Sequence, residues 1–494
     1  MTIAGEAVRE NATDRNGRQE FDGEAEGMAR IVIIGGGPAG YEAALVAAQL
    51  GAEVTVVEAD GAGGACVLSD CVPSKTFIAS SDVVTEFRHS GDLGVRVSSP
   101  DAVSLDGPAV HARVKRLALA QSADIAAKLA KAGVELVAGR ARLGEDALGH
   151  THPVVVEPED GQPYTVHATH VLVATGATPR IMPAARPDGE RILTWRDVYD
   201  LPALPERLIV IGSGVTGAEF ASAYLAAGVH VTLVSSRDRV MPHEDPHAAE
   251  VIEKVFRSRG MTILGRARAE SVANTGDGVL VTLVDGRTVE GTHALMAVGS
   301  VPNTAGLGLT EYGLSIADSG HVPVDRVSRT NIPGVYAAGD CTGVLALASV
   351  AAMQGRIAMW HALGEAVTPL RLKSVSANVF TDPELASVGV SQADVDSGRV
   401  SGRVVLLPLS GNARAKMADI SDGFVKLFCA PSSGLILGGV IVAPRASELI
   451  LPVAMAVENH LTVSQLAHTI TIYPSLSGSV AEAARQLMRH EVDE

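Results

Sequence analysis

Two glycine triplets, Gly35-x-Gly37-x-x-Gly40 and Gly212-x-Gly214-x-x-Gly217, hold the residues whose spacing first points to chemistry. Glycine at these spacings permits a tight turn and close approach of the backbone. A pyrophosphate can then rest on the unpaired N–H groups of a helix start. Beyond the first triplet, Glu58 stands where a carboxylate would accept a hydrogen bond from a ribose hydroxyl. Beyond the second, the corresponding stretch reads Ser235-Ser236-Arg237, with no carboxylate for a ribose 2′-hydroxyl. The Arg237 guanidinium can instead meet a 2′-phosphate, because its N–H donors form a fork suited to phosphate oxygens. The alternative is a solvated surface arginine, so NADPH and NADH both stay open as the second nucleotide.

The segments around each triplet are those needed to position it. An apolar strand over 31–34 runs into the first turn, an alanine-rich helix is expected over 41–50 with Gly51 as its stop, and a second strand at 54–57 delivers Glu58. The same order returns as a strand over 208–211, a helix over 218–227 stopped by Gly228, and a strand over 229–234. Two Rossmann-type units in one chain predict an α/β fold.

Size and composition agree with a multidomain enzyme. At 494 residues the chain is too long for one core. No apolar run reaches the roughly 20 uncharged residues that a membrane span needs. The net charge of -16 leaves no basic field for nucleic acid, which is excluded as a partner. Four cysteines are too few for a secreted disulfide scaffold, so a cytoplasmic location is expected. None of the histidines shows metal-ligand spacing, and no metal is expected. Residues 1–28 are polar and acidic and are expected to be a disordered tail, with Met28 a possible translation start.

Between the triplets lies Gly63-Gly64-Ala65-Cys66-Val67-Leu68-Ser69-Asp70-Cys71-Val72-Pro73-Ser74-Lys75, which resembles the redox motif of the flavoprotein disulfide reductases, the family of dihydrolipoamide dehydrogenase. Val173-Ala174-Thr175-Gly176 is similar to the family's middle FAD motif, and Thr330 to Asp340 to its last. The resemblance implies FAD held by Gly35, Gly37, Gly40, Glu58, Ala174, Thr175, Gly176, Gly339 and Asp340. It places the nicotinamide nucleotide, NADH or NADPH, at Gly212, Gly214, Gly217, Ser235, Arg237 and Gly299. It also implies the order of domains: FAD-binding at 29–180, NAD(P)-binding at 181–303, a central segment at 304–372 returning to the flavin, and an α+β dimerisation domain at 373–494. A homodimer is the implied assembly.

By the same resemblance Lys75 pairs with Glu219 beside the isoalloxazine, where a cation would stabilise charge as reduced flavin forms. Cys66 and Cys71 have the family's spacing for a redox-active disulfide, with Cys66 facing substrate and Cys71 facing the flavin. The alternative is that both are buried free thiols. Cys341 and Cys429 show no partner spacing and read as small core residues.

One departure decides the expected function. The chain reads Tyr473-Pro474-Ser475-Leu476-Ser477-Gly478 where the family has His-Pro-Thr-Leu-Ser-Glu. Dithiol–disulfide exchange needs a group that takes and returns a proton near neutral pH, and an imidazole titrates near about 6.5 whereas a phenol titrates near about 10. The nucleotide motifs, Lys75 and Glu219 are retained. The pattern therefore resembles a divergent actinobacterial branch of the family, the soluble NAD(P)H quinone reductases, from which it departs by keeping both cysteines. The expected activity is transfer of reducing equivalents from NAD(P)H through flavin to a quinone. Two alternatives are a disulfide reductase using Cys66 and Cys71, and a flavoprotein subunit of a 2-oxoacid dehydrogenase complex that does not turn over.

Overall fold

The computed structural model describes residues 28–96, 103–145 and 151–488. The expected tail therefore lies, Met28 apart, outside the described residues. The strand Arg30–Ile34 is buried from Ile31 to Ile34 because it runs in the middle of a seven-stranded sheet. Its neighbours are the parallel strands Glu53–Glu58 and His170–Val173. Val335–Ala337 closes one edge of the sheet, and an antiparallel ribbon from Glu135–Leu143 through Tyr164–Ala168 closes the other.

Alternation along the central strand sends Ile31 and Ile33 to one face, against Ala43, Ala44 and Ala47, and Val32 and Ile34 to the other, against Val154 and Val156. The alanines belong to the helix Pro38–Gln49. They let the helix Ala348–Ala362 pack closely on it, with Gly355 against the Ala39 backbone.

A second, five-stranded parallel sheet is ordered Thr262–Leu264, His230–Val234, Arg207–Ile211, His293–Met296, Ile192–Leu193. A three-stranded antiparallel ribbon, Ala269–Asn274, Val279–Leu283 and Thr288–Gly291, covers one face through Val272, Val279 and Val281. The third unit is an antiparallel sheet ordered Ser376–Val379, Glu384–Gly389, Ile436–Ala443, Phe424–Cys429, Arg403–Pro408. It is backed by helices that include Leu451–Glu458 and Gly478–Leu487. The expected α/β class with two Rossmann-like units and an α+β C-terminal unit is the architecture observed.

Both glycine-motif helices begin earlier than expected, at Pro38 and at Val215. Proline suits the first helical position, where its missing N–H costs nothing. Gly40 and Gly217 sit in the first turns because a Cβ there would overlap the carbonyl oxygens of Gly35 and Gly212 respectively. Among the described residues no helix is long and apolar enough to cross a membrane.

Candidate active site

The first cradle opens at the end of the Arg30–Ile34 strand. Gly35 takes a φ of 106° and packs so closely on the Ala174 carbonyl that a side chain would collide with it. Gly37 caps the helix Pro38–Gln49 without any side-chain hydrogen bond, and a Cβ on it would meet open space. The first N–H groups of that helix therefore face a cleft that a phosphate could occupy. Glu58 accepts from the Gly36 N–H and, at 2.8 Å, from the Asp60 N–H, which aims its carboxylate along the cleft rim.

Ala174, Thr175, Gly176, Gly339 and Asp340 line the same cleft, as do Cys66 and Cys71. The Asp340 carboxyl is half-buried, and that burial raises it above the usual carboxylate range. These residues come from three separate stretches of the chain, and what unites them is the order of the strands that end at the cleft.

The second cradle repeats the geometry. Gly212 has a φ of 110°, and Gly214 caps the helix Val215–Ala226 without a side-chain bond and faces open space. Arg237 is exposed, as expected for a phosphate reader or for a solvated residue. Ser235 is placed differently from the expected nucleotide contact. It is fully buried, and its hydroxyl meets Ser213 Oγ at 2.7 Å and accepts from the Arg237 N–H at 3.1 Å. It shapes the turn that presents Arg237. Gly299 is exposed at a φ of 92°, where the chain leaves the second sheet for the short ribbon of Ala177–Pro179 and Ser300–Pro302.

Lys75 and Glu219 meet. The helix Cys71–His89 carries Lys75, the helix that starts at the second cradle carries Glu219, and Nζ lies 2.7 Å from Oε2. Glu219 is only 4% exposed, and its other oxygen accepts from the Phe380 N–H at 2.9 Å, so this buried carboxylate is fully engaged. The ammonium also lies 4.9 Å from the centre of the Phe380 ring. Burial would lower the Lys75 pKa, but the Glu219 charge and hydrogen bond, with Cys71 and Asp70, reverse this and hold it above the ordinary lysine value.

Cys66 and Cys71 stand as half-buried free thiols. They hydrogen-bond to each other, which lowers Cys66 and raises Cys71. The pair titrates as a unit, losing one proton readily and holding the other. Cys341 and Cys429 are buried in the core.

Of the lining residues that the sequence reading did not assign to the site, four shape the cleft wall or its charge. Asn303 locks the cleft wall by donating to the Thr175 carbonyl at 2.9 Å, while Thr175 Oγ1 donates to the Asn303 carbonyl at 2.6 Å. Trp195 and Arg196 enter from the turn that follows the Ile192–Leu193 strand, and the Arg196 Nε is buried with no hydrogen-bond partner among the described residues. None of these three falls in a glycine or cysteine motif, so no local signal marked them.

The fourth, Asp70, had a signal, since it places a carboxylate inside the cysteine motif, immediately before Cys71. Burial first, then Glu219 and Asp340, push its carboxyl up to about 6 against the pull of Lys75 and Arg196. A folded-state pKa raised from 3.8 penalises the folded protein in full above about pH 6, and the penalty fades as pH falls toward 4. Asp70→Asn should therefore be more stable than the parent by up to about 3 kcal/mol near pH 7.5. Thermal melts should show that gain vanishing near pH 4, and an equal gain at both pH values would contradict it.

The C-terminal departure lies elsewhere on the surface. Tyr473 is 85% exposed beside Ile470 and Ile472, and Gly478 opens the helix Gly478–Leu487. Neither lines the cleft of its own chain.

Comparison with known proteins matches residues 29–355 to the model of the pyridine nucleotide-disulphide oxidoreductases and residues 375–484 to the dimerisation domain of the same group. A protein of Mycobacterium tuberculosis named NAD(P)H dehydrogenase (quinone) is 59% identical over 94% of this chain and 95% of its own. A dihydrolipoyl dehydrogenase of Chlamydia pneumoniae is 32% identical over 96% and 98%. Among solved structures, LpdA from Mycobacterium tuberculosis superposes with a TM-score of 0.89 at 58% identity, covering 94% of this chain and 100% of that one. The disulfide reductase RclA of Escherichia coli, at 24% identity over 92% of this chain and 99% of its own, shares the fold with a TM-score of 0.81.

Proposed function

From the premise that this chain belongs to the pyridine nucleotide-disulphide oxidoreductase family, with FAD and NAD(P)H as its cofactors, we propose that it passes reducing equivalents from NAD(P)H to a quinone. One observation carries the reading. Both dinucleotide cradles and the Lys75–Glu219 pair are complete, while the family's proton-carrying histidine position holds Tyr473 and its orienting acid position holds Gly478. The 59% identity to a protein named for quinone reduction supports the same conclusion.

FAD, when bound, supplies the two-electron chemistry. The helix Pro38–Gln49 would hold its pyrophosphate through backbone N–H groups, Glu58 would take a ribose hydroxyl, and Asp340 would hold the ribityl chain. Gly212, Gly214 and Gly217 let the NAD(P)H pyrophosphate rest on the helix Val215–Ala226, and Arg237 reads the adenosine end. Lys75, kept cationic by Glu219, would supply positive charge beside the ring when FAD is bound. Cys66 and Cys71 are dispensable for delivery to a quinone, which needs no thiol.

We further assign domain boundaries at 180/181, 303/304 and 372/373. They are supported by the passage of the chain from the first sheet to the second, back through Val335–Ala337, and on to the third. The assembly is a cytoplasmic homodimer whose partner-facing surface includes the exposed Leu451, Met455, Ile470, Ile472 and Tyr473.

The test is NADPH and NADH oxidation by the purified yellow protein with a naphthoquinone and, in parallel, NADH oxidation with lipoamide. Quinone turnover should exceed lipoamide turnover by about 100-fold or more, the usual worth of a missing general acid–base. Cys66→Ser should leave the quinone rate unchanged. Brisk lipoamide turnover, lost in Cys66→Ser, would establish the disulfide reductase instead. Negligible turnover with either acceptor, together with co-migration with much larger partners on a sizing column, would establish the complex subunit.

A further inference from the structure

Lys426 sits in the strand Phe424–Cys429, every residue of which is buried, and its side chain is 1% exposed. A lysine in such a strand is tolerated only with a partner of opposite charge. The partner comes from the nucleotide-binding unit: Nζ lies 2.7 Å from Oδ2 of Asp245, itself 3% exposed, and 3.1 Å from His247 Nδ1, over the Phe428 ring. The other Asp245 oxygen accepts from the His247 and Ala248 N–H groups and caps the helix Pro246–Ser258.

The segment leading into this cap is pinned at its other end to the second cradle. The Met241 N–H donates to the Ser213 carbonyl at 2.8 Å, with Met241 at a φ of 47°. Ser235 Oγ bridges Ser213 Oγ and the Arg239 carbonyl. Residues 235–245, which carry Arg237 and Arg239, are thus stretched between the glycine turn and a charge in the C-terminal sheet.

We propose that Lys426 is a positioning residue for the nicotinamide nucleotide, acting through Asp245 to hold the 235–245 segment against Ser213. The inference rests on the reading of the second cradle as the NAD(P)H site. A buried pair whose only role was cohesion could be replaced by apolar groups without consequence for the nucleotide. A pair that sets the turn's position could not.

The test compares the holoenzyme with K426M and with K426M/D245N, in which asparagine keeps the helix cap while no buried charge is left unpaired. Both should keep FAD, and the KM for NADPH should rise on the order of tenfold with kcat little changed, as expected when a coupling between sites is cut. K426R should restore the parental KM. A stable K426M/D245N protein with parental KM would overturn the proposal and leave the pair a purely cohesive one.

A measurement on the parent covers variants that fail to fold. Saturating NADP+ should slow amide hydrogen exchange at 243–248 and 424–428 as well as around 212–217. Protection confined to the last stretch would also overturn the proposal. If the parent oxidises neither NADPH nor NADH and gains protection from neither NADP+ nor NAD+ anywhere, it is the reading of the second cradle that fails.

Discussion

Replacing Lys75 by methionine is expected to slow reduction of the bound flavin by NADPH by about 100-fold or more, the usual loss when one preorganised charge at a reacting centre is removed. The ammonium is held 2.7 Å from Glu219 and against the Phe380 ring, so its position is fixed before any substrate arrives. Methionine keeps most of the volume and removes only the charge. Glu219 would then be a carboxylate only 4% exposed, with the Phe380 N–H as its remaining partner. A fall in stability of about 3–5 kcal/mol should accompany the kinetic loss, because an uncompensated buried charge remains. Glu219→Gln should share much of the kinetic defect, since it frees the ammonium to wander. Stopped-flow absorbance under anaerobic conditions reads the step directly. A rate within about threefold of the parent, worth less than about 1 kcal/mol, would remove Lys75 from the reaction.

Gly217→Ala should raise the KM for NADPH by about 100-fold while FAD stays bound. The new Cβ would overlap the Gly212 carbonyl oxygen, so the end of the strand and the start of the helix Val215–Ala226 must separate. That displacement withdraws N–H donors from the pyrophosphate, and each hydrogen bond to a charged group is worth about 1.5–3 kcal/mol. Losing one or two of them gives the stated factor. The flavin absorbance serves as the internal control, because the first cradle lies in a different sheet. Parental KM in a folded, yellow variant would mean that the nucleotide does not lie on this turn.

The two cradles were legible in the sequence because each is a contiguous strand–turn–helix unit. Its requirements, apolar strand residues, glycines at tight approaches and an acid at the next strand end, all fall within a short stretch of chain. Even there the helix starts were misplaced by three residues, at Pro38 rather than 41 and at Val215 rather than 218. Amphipathic pattern marks where a helix buries its face, whereas its first turn here is set by the clash-free fit of Gly40 and Gly217 on the preceding turn. The Lys75–Glu219 pair was available only through resemblance, since the two residues are 144 positions apart and no local rule joins them.

The sequence by itself determined two dinucleotide cradles, because residue type and short spacing specify each of them, whereas the redox reading of the cysteine pair and the loss of a histidine base at Tyr473 came through resemblance to the family. Tertiary structure alone decided the rest. It buried Ser235 beneath Ser213 instead of exposing it to a nucleotide, closed the cleft wall through Asn303 and Thr175, and brought Arg196 to the cleft. It also set Lys426 of the C-terminal sheet against Asp245. Each of these depends on which strands lie side by side and on which polar groups, once removed from water, must find one another across the chain.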